Sequence, residues 1–175
     1  MSKHRIVEIK AKCKDAEKVR HVLLSQGADC KGTDHQVDTY FRVAHGRLKL
    51  REGNIENSLI FYQRQNTALP KQSDVILFAS QPGSSLKEIL RHALGVLTVV
   101  DKSREIYFIE NVKFHIDIVE GLGNFVEIEA IDSDGSIGEQ KLREQCHRYM
   151  ALLNVDNYDL VSVSYSDLLL RATEG

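Results

Sequence analysis

The chain has 175 residues, 42% hydrophobic and 27% charged, which suits one globular domain over residues 1–175 with a buried core and excludes a disordered chain. With 23 basic and 25 acidic residues the formal net charge is −2, so no general basic field exists to hold nucleic acid or an anionic membrane, and any cationic site must be local. The three cysteines (Cys13, Cys30, Cys146) lack metal-ligand spacing and are odd in number, and no apolar stretch reaches signal-peptide or membrane-spanning length, so a soluble protein of the reducing cytoplasm is expected.

Along residues 7–13 charged and apolar side chains alternate, which predicts a strand with one polar face. Asp15 then caps a helix to about Gln26, with Ala16, Val19 and Leu23 on one face and Gly27 as its stop. Strands follow near 38–43 and 47–51 across a His45-Gly46 turn, near 58–64, and near 74–80 beyond a loop holding Pro70. A second helix is predicted from Ser85 to Leu94, with Ser85 and Glu88 at capping-box spacing and Gly95 at its end. Strands at 99–109, 112–120 and 125–132 precede a third helix near 136–153. Ser136 and Glu139 give that helix another capping-box pattern, and Leu142, Cys146, Tyr149 and Leu153 form its apolar stripe. A short helix near 164–170 closes the chain. The close strand spacing implies antiparallel meanders, and about eight strands are enough to close a barrel, so the expected class is α+β with a dominant antiparallel sheet.

Five runs alternate charged with apolar residues: 7–13, 47–51, 102–104, 113–118 and 126–130. A single such run is most often the solvated face of a half-buried sheet. Together they segregate by sign, with Lys10, Lys12, Arg47, Lys49, Arg51, Arg64, Lys102 and Arg104 set against Asp117, Glu127 and Glu129. If the sheet closes with this face inward, the cations surround a lumen able to neutralise a triphosphate. The carboxylates could then hold a hard divalent cation, and the apolar faces would turn outward under the helices. Crowding these cations is unfavourable without an anion, so the lumen reads as a ligand site. Glu127 and Glu129, roughly 7 Å apart along one strand face, suit ligands of one or two metal ions. His115 shares a face with Asp117 and reads first as a hydrogen-bonding residue, while His4, His21, His35, His45, His92 and His147 read as surface residues. No Gly-rich phosphate loop or nucleophile elbow is present, so phosphate recognition would rest on side chains.

In this order and spacing the residues resemble, over nearly the whole chain, the CYTH superfamily, the group of class IV (CyaB-type) adenylyl cyclases and thiamine triphosphatases also called triphosphate tunnel metalloenzymes. The family's opening Glu-x-Glu-x-Lys strand is matched by Glu8-Ile9-Lys10-Ala11-Lys12, with Lys10 in place of the second glutamate. There follow a basic-x-basic strand (Lys49, Arg51), a basic residue ending the next strand (Arg64), a Lys-x-Arg strand (Lys102, Arg104), Asp117, and a Glu-x-Glu strand (Glu127, Glu129). Asp38-Thr39-Tyr40-Phe41, Arg104-Glu105-Ile106-Tyr107-Phe108 and Gly121-Leu122-Gly123-Asn124-Phe125 look like the cyclase branch.

The resemblance implies a closed antiparallel β-tunnel, a small-molecule triphosphate ligand (ATP, thiamine triphosphate or inorganic triphosphate) and Mg²⁺ or Mn²⁺ as cofactor. It implies phosphate binding by Lys10, Lys12, Lys49, Arg51, Arg64, Lys102 and Arg104, metal binding by Glu8, Asp117, Glu127 and Glu129, and catalytic roles for Glu8, Lys12 and Asp117. The expected activity is that of a metal-dependent adenylyl cyclase forming cyclic AMP and pyrophosphate. The alternatives are a triphosphatase and a non-catalytic nucleotide or polyphosphate binder, the latter because a lysine in place of a carboxylate weakens metal affinity and favours phosphate. The resemblance and the exposed sheet surface leave room for a homodimer.

Overall fold

The computed structural model describes residues 3–64 and 66–174; Met1 and Ser2, expected to lead into the first strand, lie outside them. In chain order the elements are β1 (Lys3–Lys12), α1 (Ala16–Ser25), β2 (Asp29–Phe41), β3 (Arg47–Gly53), β4 (Ser58–Arg64), β5 (Lys71–Ala79) and α2 (Leu86–Leu94). They continue with β6 (Val96–Ile109), β7 (Val112–Val119), β8 (Gly123–Asp132), α3 (Glu139–Leu152) and α4 (Tyr165–Thr173), with a 3₁₀ turn at Asn157–Asp159 before α4. The strands pair antiparallel in the ring order β1-β5-β4-β3-β2-β6-β7-β8, so the sheet closes as expected. Among the described residues no helix is long and apolar enough to cross a membrane.

The boundaries differ from expectation where polar residues are buried. β2 begins at Asp29, not near 38, and pairs with a β6 that begins at Val96, from Asp29↔Phe108 to Phe41↔Val96 with a shift between Cys30 and Gly32. The stretch before Asp38 carries no apolar alternation, because its inward positions are the buried Asp34 and Gln36. Asp15 caps α1 by accepting from the Lys18 amide at 3.0 Å. Ser85 makes no side-chain cap bond, and Ser136 lies outside α3, which starts after Gly138. The turn ahead of α3 is held by Asp132, which accepts from the Gly135 and Gly138 amides at 2.8 and 3.1 Å. A full capping box instead opens α4, through Ser164 and Asp167.

Two apolar clusters flank the barrel wall. Outside it, Val7, Ile9 and Ala11 of β1, Phe114 and Ile116 of β7, and Val126, Ile128 and Ala130 of β8 pack against α1 and α3 through Val19, Leu23, Leu142, Cys146 and Tyr149. Here the apolar faces turn outward under the helices as expected, and each large buried side chain contributes roughly 1.5–3 kcal/mol. The second cluster lies inside: Tyr40, Ile60, Tyr62, Val75, Val100, Val119 and Phe125 meet Tyr165 of α4. The lumen is therefore not charged throughout, because β4 and β5 turn Ile60, Val75 and Leu77 inward. The segment before α4 is tied to β1 by the Val161 amide donating to the Lys10 carbonyl at 2.8 Å, which sets α4 across one end of the barrel.

Candidate functional site

The lumen holds a cavity of about 590 Å³. Among the described residues seven cationic side chains line it (Lys10, Lys49, Arg51, Arg64, Lys102, Arg104, Lys113), together with four carboxylates (Glu8, Glu56, Glu127, Glu129). One wall is apolar, formed by Ile6, Ile60, Val75, Leu77 and Ile131, with Tyr40, Tyr62 and Tyr165 between it and the charges. Strand alternation explains the inward set: Glu8 and Lys10, Lys49 and Arg51, Lys102 and Arg104, and Glu127 and Glu129 are each two apart.

The expected crowding of unopposed cations is largely relieved, since each has a carboxylate. Lys10 Nζ lies 3.2 Å from Glu127, Arg64 pairs with Glu8, and Lys113 pairs with Glu56. Arg104 makes a bidentate pair with Asp117 at 2.7 and 2.6 Å. The exception is Asp38, 1% exposed, whose one carboxylate serves three cations: Arg51 through two bonds of 2.9 Å, Lys49 at 2.9 Å and Lys102 at 2.8 Å. Burial alone would raise the Asp38 pKa, but Arg51, Lys102 and Lys49 hold it well below the usual carboxylate range. Glu56 also accepts from Arg51 at 3.1 Å but is shared with Lys113, so two carboxylates face four cations and positive charge remains in excess. Burial pushes the Lys102 ammonium down to about 7 despite Asp38, with Arg51, Arg104 and Lys49 adding to the shift. This locus is the lumen's unbalanced positive charge and its strongest claim on an anion.

Three expected residues lie outside the cavity. Lys12 is exposed and outside the cavity, with its Nζ donating to the Leu122 carbonyl at 3.1 Å and lying 4.1 Å from the centre of the Phe125 ring. Arg47 donates to Asp167 at 2.6 Å and pins the start of α4. Asp117 does not line the cavity: one oxygen accepts from Arg104, and the other from Arg104 and from the Tyr165 hydroxyl at 2.7 Å. Its carboxylate positions Arg104 and anchors α4.

In place of Asp117, His115 joins the glutamates. One ring nitrogen and one oxygen each from Glu127 and Glu129 lie within 4.8 Å of one another. His115 is buried, and burial with the nearby Arg104 guanidinium lowers its pKa below the ordinary imidazole value. Glu127 would be raised by burial, but Lys10 and Arg104 hold it well below the carboxylate range. Glu129 is less committed: among the described residues no cationic nitrogen is nearer than His115 Nδ1 at 3.7 Å.

Several lining residues escaped the sequence reading. Lys113 shares the face of His115 and Asp117, so its parity could have found it. Asp38, bonded to three of the lining cations without lining the cavity itself, reads in the sequence only as the start of a strand and of a cyclase-like stretch, and His4 lines the cavity although it reads as a surface residue. Glu56 lies in the β3–β4 turn, where no periodicity points inward. Asp34 holds that turn by accepting from the Ile55 and Glu56 amides at 2.9 Å. Gly53 permits the approach, since a Cβ there would lie 2.7 Å from both Asp34 oxygens.

Comparison with known proteins places this geometry in context. The profile described as the CYTH domain matches residues 4–165. A Methanocaldococcus jannaschii protein provisionally named an adenylate cyclase is 29% identical over 172 residues, covering 93% of this chain and 97% of its own. A Pyrococcus horikoshii structure superposes with a TM-score of 0.79 at 23% identity, covering 93% of this chain and 98% of its own. A Hippeastrum protein, provisionally termed an adenylyl cyclase and described as having a dominant triphosphatase activity, superposes with a TM-score of 0.60 at 13% identity, covering 98% and 96%.

Proposed function

Because the chain belongs to the CYTH domain family, we propose that its lumen binds an organic triphosphate and, with a divalent cation, acts as a class IV adenylyl cyclase, converting ATP to cyclic AMP and pyrophosphate. The observation that carries this reading is the sharing of the single Asp38 carboxylate by Arg51, Lys49 and Lys102. A triphosphate supplies the missing negative charge there. Arg104, held by Asp117, and Lys10 and Arg64 extend the cationic surface, and the apolar wall suits the organic group. In the reaction the ribose 3′-oxygen attacks the α-phosphorus and pyrophosphate leaves. Fixed guanidinium and ammonium groups stabilise the charge that develops on the phosphoryl oxygens. The same reading takes residues 1–175 as one domain working in the cytoplasm, where ATP is available.

The lumen also supports a different alignment of the family's opening run. Ile6, Glu8 and Lys10 all line the cavity, whereas Lys12 does not, so Glu-x-Glu-x-Lys falls on Ile6-x-Glu8-x-Lys10. The departure is then a missing carboxylate at Ile6, and Lys10 is the phosphate-binding lysine. The case for a non-catalytic binder then rests on one missing carboxylate and no longer on a reversal of charge.

For the cation, Glu8, Glu127 and Glu129 offer oxygens, and buried His115, whose Nδ1 faces Glu127 and Glu129 and whose Nε2 has no hydrogen-bond partner among the described residues, offers a nitrogen. When bound, Mg²⁺ or Mn²⁺ would neutralise phosphate oxygens and polarise the reacting phosphoryl group. A triphosphatase is the second reading, favoured by Glu129, whose lightly committed carboxylate could orient a water against the terminal phosphate. Phosphorus NMR of the protein incubated with ATP, thiamine triphosphate or inorganic triphosphate, with Mg²⁺, Mn²⁺ or chelator, separates the readings. Pyrophosphate with cyclic AMP supports the cyclase and orthophosphate the hydrolase. Tight binding without product would leave only a binding module.

A further inference from the structure

His115 is a buried lumen side chain with only one of its two ring nitrogens satisfied among the described residues. It is 1% exposed, its Nδ1 lies 3.2 Å from Glu127 and 3.7 Å from Glu129, and its Nε2 has no hydrogen-bond partner among the described residues. The residues on either side of it on the inward face of β7 are committed elsewhere, Lys113 to Glu56 and Asp117 to Arg104 and Tyr165. The carboxylates beside it are unequal. Glu127 already meets Lys10 at 3.2 Å and Arg104 at 3.3 Å, which offsets much of its charge, while Glu129 meets no lysine or arginine among the described residues. On the adjoining strand the nearest inward neighbours are Glu8, bound to Arg64, and Ile6, which offers no oxygen.

From this donor set we infer that His115 is a direct nitrogen ligand, and that the cation held with Glu127 and Glu129 is a divalent transition metal in preference to Mg²⁺. Mg²⁺ favours an all-oxygen octahedron and retains its waters, and a site with one lightly neutralised carboxylate and an imidazole serves it poorly. An imidazole nitrogen adds affinity for transition ions and little for Mg²⁺. The inference deepens the proposed function and rests on it for the location of the cation.

The test is pulsed electron paramagnetic resonance of the full chain loaded with Mn²⁺, alone and with inorganic triphosphate. The expected spectrum carries ¹⁴N modulation from a coordinated imidazole. That modulation is replaced when only histidine is ¹⁵N-labelled, is lost in His115→Gln, and is retained in His4→Ala, the other histidine of the lumen. In competition the wild-type chain should prefer Mn²⁺ over Mg²⁺ by about tenfold or more. Bound Mn²⁺ with no nitrogen coupling in the wild-type chain overturns the inference, whether or not the variant folds, and so does a failure to bind Mn²⁺. Phosphorus coupling from added triphosphate reports separately on the triphosphate reading: its presence without nitrogen coupling sinks only the ligand assignment, and its absence beside nitrogen coupling sinks only the substrate.

Discussion

Replacing Asp38 with asparagine keeps the shape of the side chain and removes the one negative charge on which Arg51, Lys49 and Lys102 converge at 2.8–2.9 Å. Removing one member of a buried ionic network strands its partners and costs about 3–5 kcal/mol. Lys102, already pushed down to about 7, can shed its proton and soften the loss, so the lower end, about 3 kcal/mol, is expected. For a chain of this length each kcal/mol moves the melting temperature by about 2–4 °C, which gives a fall of roughly 6–12 °C in anion-free buffer. Affinity should move the other way. With a repelling carboxylate gone, inorganic triphosphate should bind about tenfold more tightly, a gain of about 1.4 kcal/mol, a fraction of the ~4 kcal/mol between unit charges 4 Å apart near a protein surface. At about 100 times its dissociation constant the ligand returns about 2.7 kcal/mol of stability. Scanning and titration calorimetry of Asp38→Asn beside the parent measure both quantities. A lower melting temperature with unchanged or weaker triphosphate binding would refute the argument, because it would make Asp38 a structural counter-ion only and place the ligand elsewhere.

The Lys102 ammonium yields a pH prediction. Its pKa is lowered in the folded protein, so between about 7 and the usual lysine value the unfolded chain binds more protons, and the group's contribution to stability rises with pH across that window. Bound triphosphate restores the proton, so affinity should fall as pH rises from about 7.5 to 9, by at most about tenfold per unit. Calorimetry in buffers of differing ionisation heat should find uptake approaching one proton per ligand at the upper end, and no uptake would contradict the assignment. Lys10→Glu should abolish triphosphate binding and Lys12→Glu should leave it within about threefold, since only Lys10 reaches the cavity; the reverse order in a binding titration would restore the alignment that puts the family lysine at Lys12. Tyr165→Phe removes one bond to Asp117 and should cost about 1–2 kcal/mol in urea unfolding. A neutral result would mean that α4 is not anchored through that hydroxyl.

Much of the barrel is legible because alternation is a direct reading of which face a strand presents. Val7, Ile9 and Ala11 pack outward while Glu8 and Lys10 face in, and the same logic recovers Lys49 with Arg51 and Glu127 with Glu129. Parity assigns a face and does not measure depth. Lys12 has the right parity but sits past the point where Phe125 and Tyr165 fill the barrel, so it emerges into solvent. Asp34 and Gln36 broke the opposite assumption, that inward positions are apolar or obviously functional, and hid the first half of β2. Glu56 was beyond reach, since a turn residue is aimed by the contacts that fold the turn, here Asp34 against Gly53. His115 was placed on the correct face, but its neighbours were not: the register His115↔Glu127 sets it opposite a glutamate that Lys10↔Glu127 approaches from the other side.

The position of β1 between β5 and β8 bears on how the molecule is made. A closed barrel has no edge strand to template unwanted pairing, yet until the last seam forms both margins stand open. The β1–β8 seam joins Arg5↔Asp132 through Lys12↔Phe125, the first strand in the chain to the last. If the chain folds as it is made, β1 can sit on β5 while three further strands are synthesised, and the tube closes only when β8 arrives. Loop-closure entropy across so many residues makes that step slow, and it is the same step that brings Lys10 to Glu127. Substitutions at this ion pair should thus be felt first in the rate at which the tube closes, and the open intermediate, with two bare strand margins, is the species that chaperones or aggregation would intercept.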